Sequence, residues 1–472
     1  SSLLARKFAL PLGVLVDPLA APLSQADDVP LVSFGTAPIV RCRRCRSYVN
    51  FMCQFMDGGR RWRCSMCQFL NDVPDEYYCP IDVHGRRRDA ATRIELTHGS
   101  VEFVAPHEYM VRPPMPPVYL FVLEATPRSV TSGAFAAAVD GIRQSIDKLP
   151  NDGRTKIGLL TYDQAVSFYL LNQGDEPGFS VAVVADIDEM FLPSPEDIVA
   201  DLNDCRASLD MLLESLPEMM ASAATPAPPA AKPRLCLGAA TQAAGMLIGK
   251  TGGKVTVLVC SRPSYGPGTL KERADNAALG TDRERVMVSP ESAFYKQQAV
   301  DFSRNQISVD LLFCTADFVD LASIAPLAKY TGGELIYMRG FNENRDASLL
   351  KQTIANCLAR DTAFEAVMRI RASKGIRCSS FHGRFFLRST DLMALPNVDS
   401  DKSFALQLTF DEATIAQQAF VVQSALLYTS AHGERRIRVN TVAVPTVSKL
   451  EELLGCTDPY ATSYLMARGV AE

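Results

Sequence analysis

Apolar and polar positions change rhythm several times along the chain. Residues 1–37 hold short apolar pieces broken by Pro11, Pro18, Pro22 and Pro30, with no helical period. They read as extended segments that need a pairing partner elsewhere in the chain. From Val118 to Arg360, apolar runs of strand length alternate with amphipathic stretches. The runs are Val118–Leu123, Lys156–Tyr162, Ser180–Ala185, Lys254–Cys260 and Ile307–Cys314, with Glu334–Tyr337 weaker. The helical patterns are Gly133–Lys148, Pro195–Met220, Ala239–Ile248, Pro290–Arg304, Phe318–Tyr330 and Asp346–Arg360. Strands apolar on both faces, separated by helices, predict a parallel sheet covered on both sides, a doubly wound α/β domain.

Other stretches punctuate this pattern. Arg112-Pro113-Pro114-Met115-Pro116-Pro117 reads as a domain boundary, because proline fixes an extended path and donates nothing to a sheet. Ile94–Phe103 is strand-like, and Ala221–Lys232 is a low-complexity stretch that reads as a mobile surface loop. Ser380–Leu387, Phe404–Thr409, Ala419–Tyr428 and Arg435–Val444 form an all-β unit, which offers partners to the segments at 1–37. Val447–Ala471 is helical in pattern and simply stops, as part of a longer protein would.

Length and composition narrow the class. The 472 residues suit about three domains. With 47% hydrophobic and 21% charged residues the chain is ordinary globular protein. Its 48 basic and 53 acidic residues leave a net charge of −5, which argues against a general nucleic-acid coat. No run reaches the ~18 apolar residues of a membrane span, and Ser1 opens no secretory signal pattern. The expectation is a protein of the cytoplasm that meets any membrane from outside.

Thirteen cysteines, an odd number with Cys260, Cys314 and Cys357 single in apolar runs, argue against a disulfide framework. Cys42-Arg-Arg-Cys45 and Cys64-Ser-Met-Cys67 are two C-x₂-C pairs at zinc-ribbon spacing. Each pair aims two sulfurs at one point, and together they complete a tetrahedron around a single Zn²⁺. Four thiolate ligands leave no position open for water, so the zinc is structural. Cys53 and Cys79 match no knuckle and read as packing residues. Arg41, Arg43, Arg44, Arg46, Arg60, Arg61 and Arg63 crowd this unit, with Asp57 alone opposing them between Arg41 and Cys67. Part of that charge offsets the −2 of a four-thiolate zinc site, and the surplus points to recognition of acids.

Several catalytic and cofactor patterns fail. Gly245-Met-Leu-Ile-Gly249-Lys250-Thr251 has three residues between its glycines where the P-loop has four, and it follows a helix rather than a strand. A von Willebrand A-type sheet would carry a D-x-S-x-S metal motif after its first strand, but here that place reads Glu124-Ala-Thr126-Pro-Arg128, with a cation where a serine would ligate. His84, His98, His107, His382 and His432 are scattered, and no nucleophile elbow or metalloprotease motif occurs. No feature supports an enzyme.

The order of parts resembles the inner-coat cargo adaptors of COPII vesicles, the Sec-twenty-four family. Ile39-Val-Arg-Cys-Arg-Arg-Cys-Arg-Ser-Tyr-Val-Asn50, Arg61-Trp-Arg-Cys64, Asn71-Asp-Val-Pro74, the stretch Val101–Tyr119, Lys156–Tyr162, Ala425-Leu-Leu-Tyr-Thr-Ser430 and Gly433–Val439 carry the likeness, which covers essentially the whole chain. The resemblance implies a β-sandwich begun by 1–37 and completed by 363–445, a zinc ribbon with connecting segment at 38–112, a von Willebrand A-like trunk at 113–362, and the start of a helical domain at 446–472. It implies a non-enzymatic subunit, peripheral on the endoplasmic reticulum membrane and on COPII-coated vesicles, that pairs with a Sec-twenty-three-type subunit. Such subunits bind cytosolic sorting signals of membrane cargo and SNAREs. In that family the arginines flanking the first knuckle grip acidic signals, here Arg41 and Arg46, and a leucine of the A-L-L-Y-T-S string completes the site, here Leu426 or Leu427. The family's Asn-Pro-Phe is Asn50-Phe51-Met52 here, a departure that removes the proline from the local turn. The alternatives are the related Sec-twenty-three-type subunit, a zinc-ribbon nucleic-acid binder with steep salt dependence, and a doubly wound enzyme with a ribbon appendage.

Overall fold

The computed structural model describes residues 11–21, 24, 28–35, 37–110, 112–150, 153–174, 176–223, 234–273, 276–315, 319–411, 418–447 and 449–471. The start of the chain and residues 224–233, which include most of the low-complexity stretch, lie outside them. The central sheet runs Phe179–Val184, Val166–Leu171, Lys156–Tyr162, Val118–Glu124, Gly253–Val259, Ile307–Thr315 and Leu335–Arg339 in spatial order. From Lys156–Tyr162 to Leu335–Arg339 every pairing is parallel. Alternate residues of Val118–Leu123 face opposite sides and all are buried, as a doubly covered strand requires. Tyr119, Phe121 and Leu123 pack with Ala134–Arg143, Arg206–Ala223 and Glu343–Ala359. Val118, Leu120 and Val122 pack with Leu237–Ile248, Phe294–Arg304 and Pro326–Thr331.

The sheet is mixed rather than wholly parallel. Val166–Leu171, which the pattern analysis does not include, folds back antiparallel on Lys156–Tyr162, and Phe179–Val184 returns antiparallel on it. Asp163 makes this turn, its carboxylate accepting the Ala165 N–H at 2.9 Å, without a glycine or proline to mark it in sequence. The single helix expected over Pro195–Met220 is two, Pro195–Ile198 and Arg206–Ala223, because Ala200–Asp201 pairs with Lys156–Tyr162 between them.

A second body consists of two sheets face to face. One holds Phe386–Leu387, Leu392–Asp399, Thr362–Ala372, Ala419–Thr429, Arg435–Pro445, Ser100–Val104 and Leu31–Val32, and the other Gly13–Val16, Phe404–Phe410 and Ile376–His382. Met368, Ile370, Leu406 and Leu426 fill the space between them. The N-terminal pieces Gly13–Val16 and Leu31–Val32 find strand partners here. Ser100–Val104 belongs to this sheet through Arg435–Pro445 and not to the ribbon it follows. Thr362–Ala372 and Leu392–Asp399 are further strands that the pattern analysis leaves out.

At the end of the described chain, Pro459–Ala471 lies against Gly13–Val16 and Phe404–Phe410. A Cβ on Gly13 would stand 2.6 Å from Leu465 Cδ1, so this close approach needs glycine.

Candidate functional site

The ribbon is a three-stranded sheet, Gln54–Met56, Arg61–Arg63 and Leu70–Asp72, with one cysteine knuckle before its first strand and the other between its second and third. The two knuckles repeat one geometry. Cys42 N donates to Ser47 O at 2.9 Å and Arg46 N to Cys42 O at 2.9 Å; Cys64 N donates to Phe69 O and Gln68 N to Cys64 O, both at 3.0 Å. In each knuckle the residue after the second cysteine turns left-handed, Arg46 at φ 59° and Gln68 at φ 61°. The turn at Asn50 forms without proline, since the Asn50 side-chain oxygen accepts the Met52 N–H at 3.0 Å.

All four sulfurs lie within 4.8 Å of one another. Cys42 to Cys67 and Cys45 to Cys64 are each 3.6 Å apart. A tetrahedron with Zn–S of about 2.3 Å has edges of about 3.8 Å, so the cluster fits one Zn²⁺. Asn71 Nδ2 reaches Cys42 Sγ at 3.5 Å, the Met66 N–H reaches Cys64 Sγ at 3.4 Å, and Ser47 Oγ lies 3.1 and 3.2 Å from Cys45 and Cys64. These outer partners orient the sulfurs and favour thiolate. The hydrogen bond shared by Cys45 and Cys64 favours one thiolate of the pair, holding Cys45 below the usual thiol range and Cys64 above it. Cys53 and Cys79 stand outside the four-sulfur cluster.

The arginines around this unit sort into two kinds. Arg43 pairs with Asp72 at 3.4 Å, and Arg61 pairs with Asp57. Arg44 and Arg46 form no ion pair with another described residue, and both are exposed. Arg41 is half-buried: its Nε and Nη2 donate to the Arg46 carbonyl at 2.9 and 2.7 Å, and its Nη1 donates to Tyr109 Oη at 3.1 Å. Its guanidinium lies 4.4 Å from the centroid of the Tyr48 ring. Arg41, Arg46 and Tyr109 line a cleft of about 400 Å³. Leu427 is half-buried and packs on the apolar cluster of Ile39, Tyr48 and Phe103, against which Tyr109 also packs. Leu426, the alternative from the sequence, is 1% exposed and points the other way into the sandwich core. Adjacent strand residues face opposite sides, so only Leu427 shares the arginines' side.

A larger groove of about 940 Å³ opens where the ribbon meets the sandwich, lined by Arg44 and Met66 on one side and Arg369, Arg371 and Phe381 on the other. Arg369 pairs with Asp391 at 2.7 Å. Arg371 has no carboxylate partner among the described residues; its Nε donates to Cys45 O at 2.9 Å and its Nη1 has no hydrogen-bond partner. Burial, with the like charges of Arg369 and Arg41, holds Arg371 below the usual arginine range. The sequence reading missed Arg369 and Arg371. Their i, i+2 spacing puts both on one face of a strand, a signal visible only once Thr362–Ala372 is recognised as one.

The mouth of the trunk sheet is differently filled. Glu124 is fully buried, accepting from Cys260 N at 2.6 Å, Ser261 N at 2.9 Å and Thr126 Oγ1 at 2.7 Å. Both carboxylate oxygens are therefore engaged by the fold itself, while Arg128 is exposed at this edge.

Fold and cysteine site together define a multidomain zinc-ribbon protein built on a doubly wound trunk. Residues 39–77 match the Sec23/Sec24 zinc finger, 114–358 the Sec23/Sec24 trunk domain and 363–447 the Sec23/Sec24 beta-sandwich domain. The chain belongs to the Sec23/Sec24 family. It is 44% identical over 470 residues to protein transport protein SEC24 A of Arabidopsis thaliana, covering 99% of this chain and 44% of that one. It is 38% identical over 476 residues to SEC24 of Coccidioides immitis, covering 99% and 50%. The crystal structure of the human COPII-coat protein Sec24c superposes with a TM-score of 0.90 at 28% identity, covering 99% of this chain and 63% of that one. The chain spans about half the length of the curated relatives it matches. The zinc finger and the four-cysteine cluster agree on one structural zinc.

Proposed function

We propose that this chain is the cargo-binding part of a COPII coat subunit, peripheral on the endoplasmic reticulum membrane, which pairs with a Sec23-type subunit. On this reading it takes cytosolic sorting signals of membrane cargo and SNAREs at the side of the ribbon that faces the sandwich. The observation that carries the reading is a group of guanidiniums without ion-pair partners among the described residues, Arg41 and Arg46 in one cleft and Arg44 and Arg371 in the neighbouring groove, with Leu427 packed on the apolar cluster that includes Tyr48, whose ring lies under Arg41. Guanidinium forks bind carboxylates, and a half-buried leucine next to them takes an apolar side chain. The work is binding rather than catalysis, and the relatives' names, protein transport and COPII coat, support it. No helix among the described residues is long and apolar enough to cross a membrane.

Each exposed pair contributes about 1 kcal/mol, so single signals bind weakly and many copies on one membrane bind by avidity. Arg41→Ala with Arg46→Ala abolishes measurable binding of an acidic sorting peptide, while zinc stays at one per chain. Unchanged affinity removes this site assignment. Co-purification with a Sec23-type subunit at one to one tests the coat role separately. Binding of nucleic acid in preference to the peptide would favour the nucleic-acid alternative instead.

A further inference from the structure

The arginine pair is held from behind by a residue that touches no ligand. Gln423, in strand Ala419–Thr429, is fully buried. Its Oε1 accepts the Tyr48 N–H at 2.8 Å, and its Nε2 donates to the Tyr48 carbonyl at 3.1 Å and to Thr441 Oγ1 at 3.0 Å. The side-chain amide thus does for Tyr48 what a neighbouring strand's backbone would do. Tyr48 bridges to Arg41 in the backbone, and its ring lies under the Arg41 guanidinium. Arg41 then binds the carbonyl of Arg46, the left-handed residue that closes the first knuckle. Two further bonds tie the knuckles to the sandwich: Arg371 Nε to Cys45 O and Lys374 N to Met66 O, both 2.9 Å. Cys45 and Cys67, two of the four clustered sulfurs, also line the groove.

We propose that Gln423 is the positioning residue of the arginine site, and that through it zinc occupancy and acidic-peptide binding are thermodynamically coupled. This rests on the reading of the arginines given above. Zinc fixes the knuckle, the knuckle and Gln423 together fix Tyr48, and Tyr48 aims Arg41. Zinc loss frees the knuckle and disperses the guanidinium groups. By reciprocity, peptide bound across them raises zinc affinity by the same factor.

The test is an equilibrium competition for zinc between the full chain and a chelator of known affinity. It is run with no peptide, with a saturating peptide of two glutamates beside a leucine, and with its Glu→Gln counterpart. Peptide binding is read in the same samples by fluorescence anisotropy. Zinc affinity is expected to rise about fivefold or more with the acidic peptide and to stay level with the neutral one. Gln423→Leu is expected to keep one zinc per chain while the ratio of zinc affinities with and without peptide falls, the remainder being carried by the direct bonds of Arg41 to the Arg46 carbonyl. Destabilisation alone would lower the melting temperature and leave that ratio as it was, so an unchanged ratio in this variant overturns the positioning role. Should Gln423→Leu fail to fold, Tyr48→Leu cuts the next link and carries the same expectation. Peptide that binds the native chain without changing zinc affinity overturns the coupling alone. Peptide that does not bind overturns the arginine site as well.

Discussion

Arg46 combines a backbone role with a charge, and Arg46→Gly separates the two. Its φ of 59° places it in the left-handed region, which costs an L-residue about 1–2 kcal/mol. Glycine removes that cost and loses about 0.5–1 kcal/mol through its freer unfolded chain, so the net effect on the knuckle lies between zero and about 1.5 kcal/mol of stabilisation. The side chain is exposed and forms no ion pair with another described residue, so nothing is left unpaired. Arg41 bonds to the Arg46 carbonyl, which glycine keeps. Zinc affinity and melting temperature should therefore hold or rise slightly. Peptide affinity should fall about fivefold, the equivalent of one exposed pair at about 1 kcal/mol. The difference should close at 1 M salt, where the screening length is about 3 Å. Anisotropy titrations at two salt concentrations, with zinc measured by chelator competition, give both readings on one sample. Unchanged peptide affinity would remove Arg46 from the site. Weakened zinc binding would show that the left-handed turn is not what closes the knuckle.

Two other predictions concern neighbours of the site and its support. Leu426→Ala should cost about 2–5 kcal/mol in urea unfolding, because it empties part of the sandwich core, while half-buried Leu427→Ala should weaken peptide binding with a much smaller loss; the opposite pattern would reverse the assignment of faces. Lys254 and Asp310 form a buried pair at 3.0 Å, with Lys254 Nζ also donating to Cys357 O at 2.8 Å. Lys254→Met should destabilise by about 3–5 kcal/mol by leaving Asp310 uncompensated, and adding Asp310→Asn, which removes the charge and keeps the oxygen that accepts the Glu334 N–H at 2.7 Å, should recover most of that. A double variant as unstable as the single would refute the pairing argument.

How far the sequence carries depends on how local the signal is. Cys42, Cys45, Cys64 and Cys67 were readable because a knuckle is made within six residues, and spacing alone sets its geometry. The parallel strands were readable because burial on both faces leaves an uninterrupted apolar run. Val166–Leu171 was not, since its turn at Asp163 uses a side-chain hydrogen bond rather than glycine or proline. Thr362–Ala372 follows the helix Glu343–Ala359 after two residues, and its Glu365 sits at φ 50° where the pairing register shifts. That break obscures the alternation that would have exposed Arg369 and Arg371 as one face. The choice between Leu426 and Leu427 is likewise a question of strand face, and only a paired register answers it.

The position of the arginine site follows from what the other parts have already used. A doubly wound sheet ordinarily offers ligands the crevice beyond the carboxyl ends of its strands. In this trunk Glu124 lies there, both its oxygens engaged by Cys260, Ser261 and Thr126, so that end is closed by the chain's own hydrogen bonds. The ribbon is too small to bury much apolar surface and depends on its zinc and on the sandwich for rigidity. Its docking through Gln423, Arg371 and Lys374 leaves unpaired guanidinium groups near the contact, Arg44 and Arg371 in a groove that both bodies line and Arg41 and Arg46 in a cleft within residues 38–109. Arg371 is held below the usual arginine range first by burial and then by the like charges of Arg369 and Arg41, so part of the cost of this cluster is like-charge repulsion. An acidic ligand relieves that repulsion on binding, which is the physical reason to look for recognition at the contact of ribbon and sandwich rather than at the sheet.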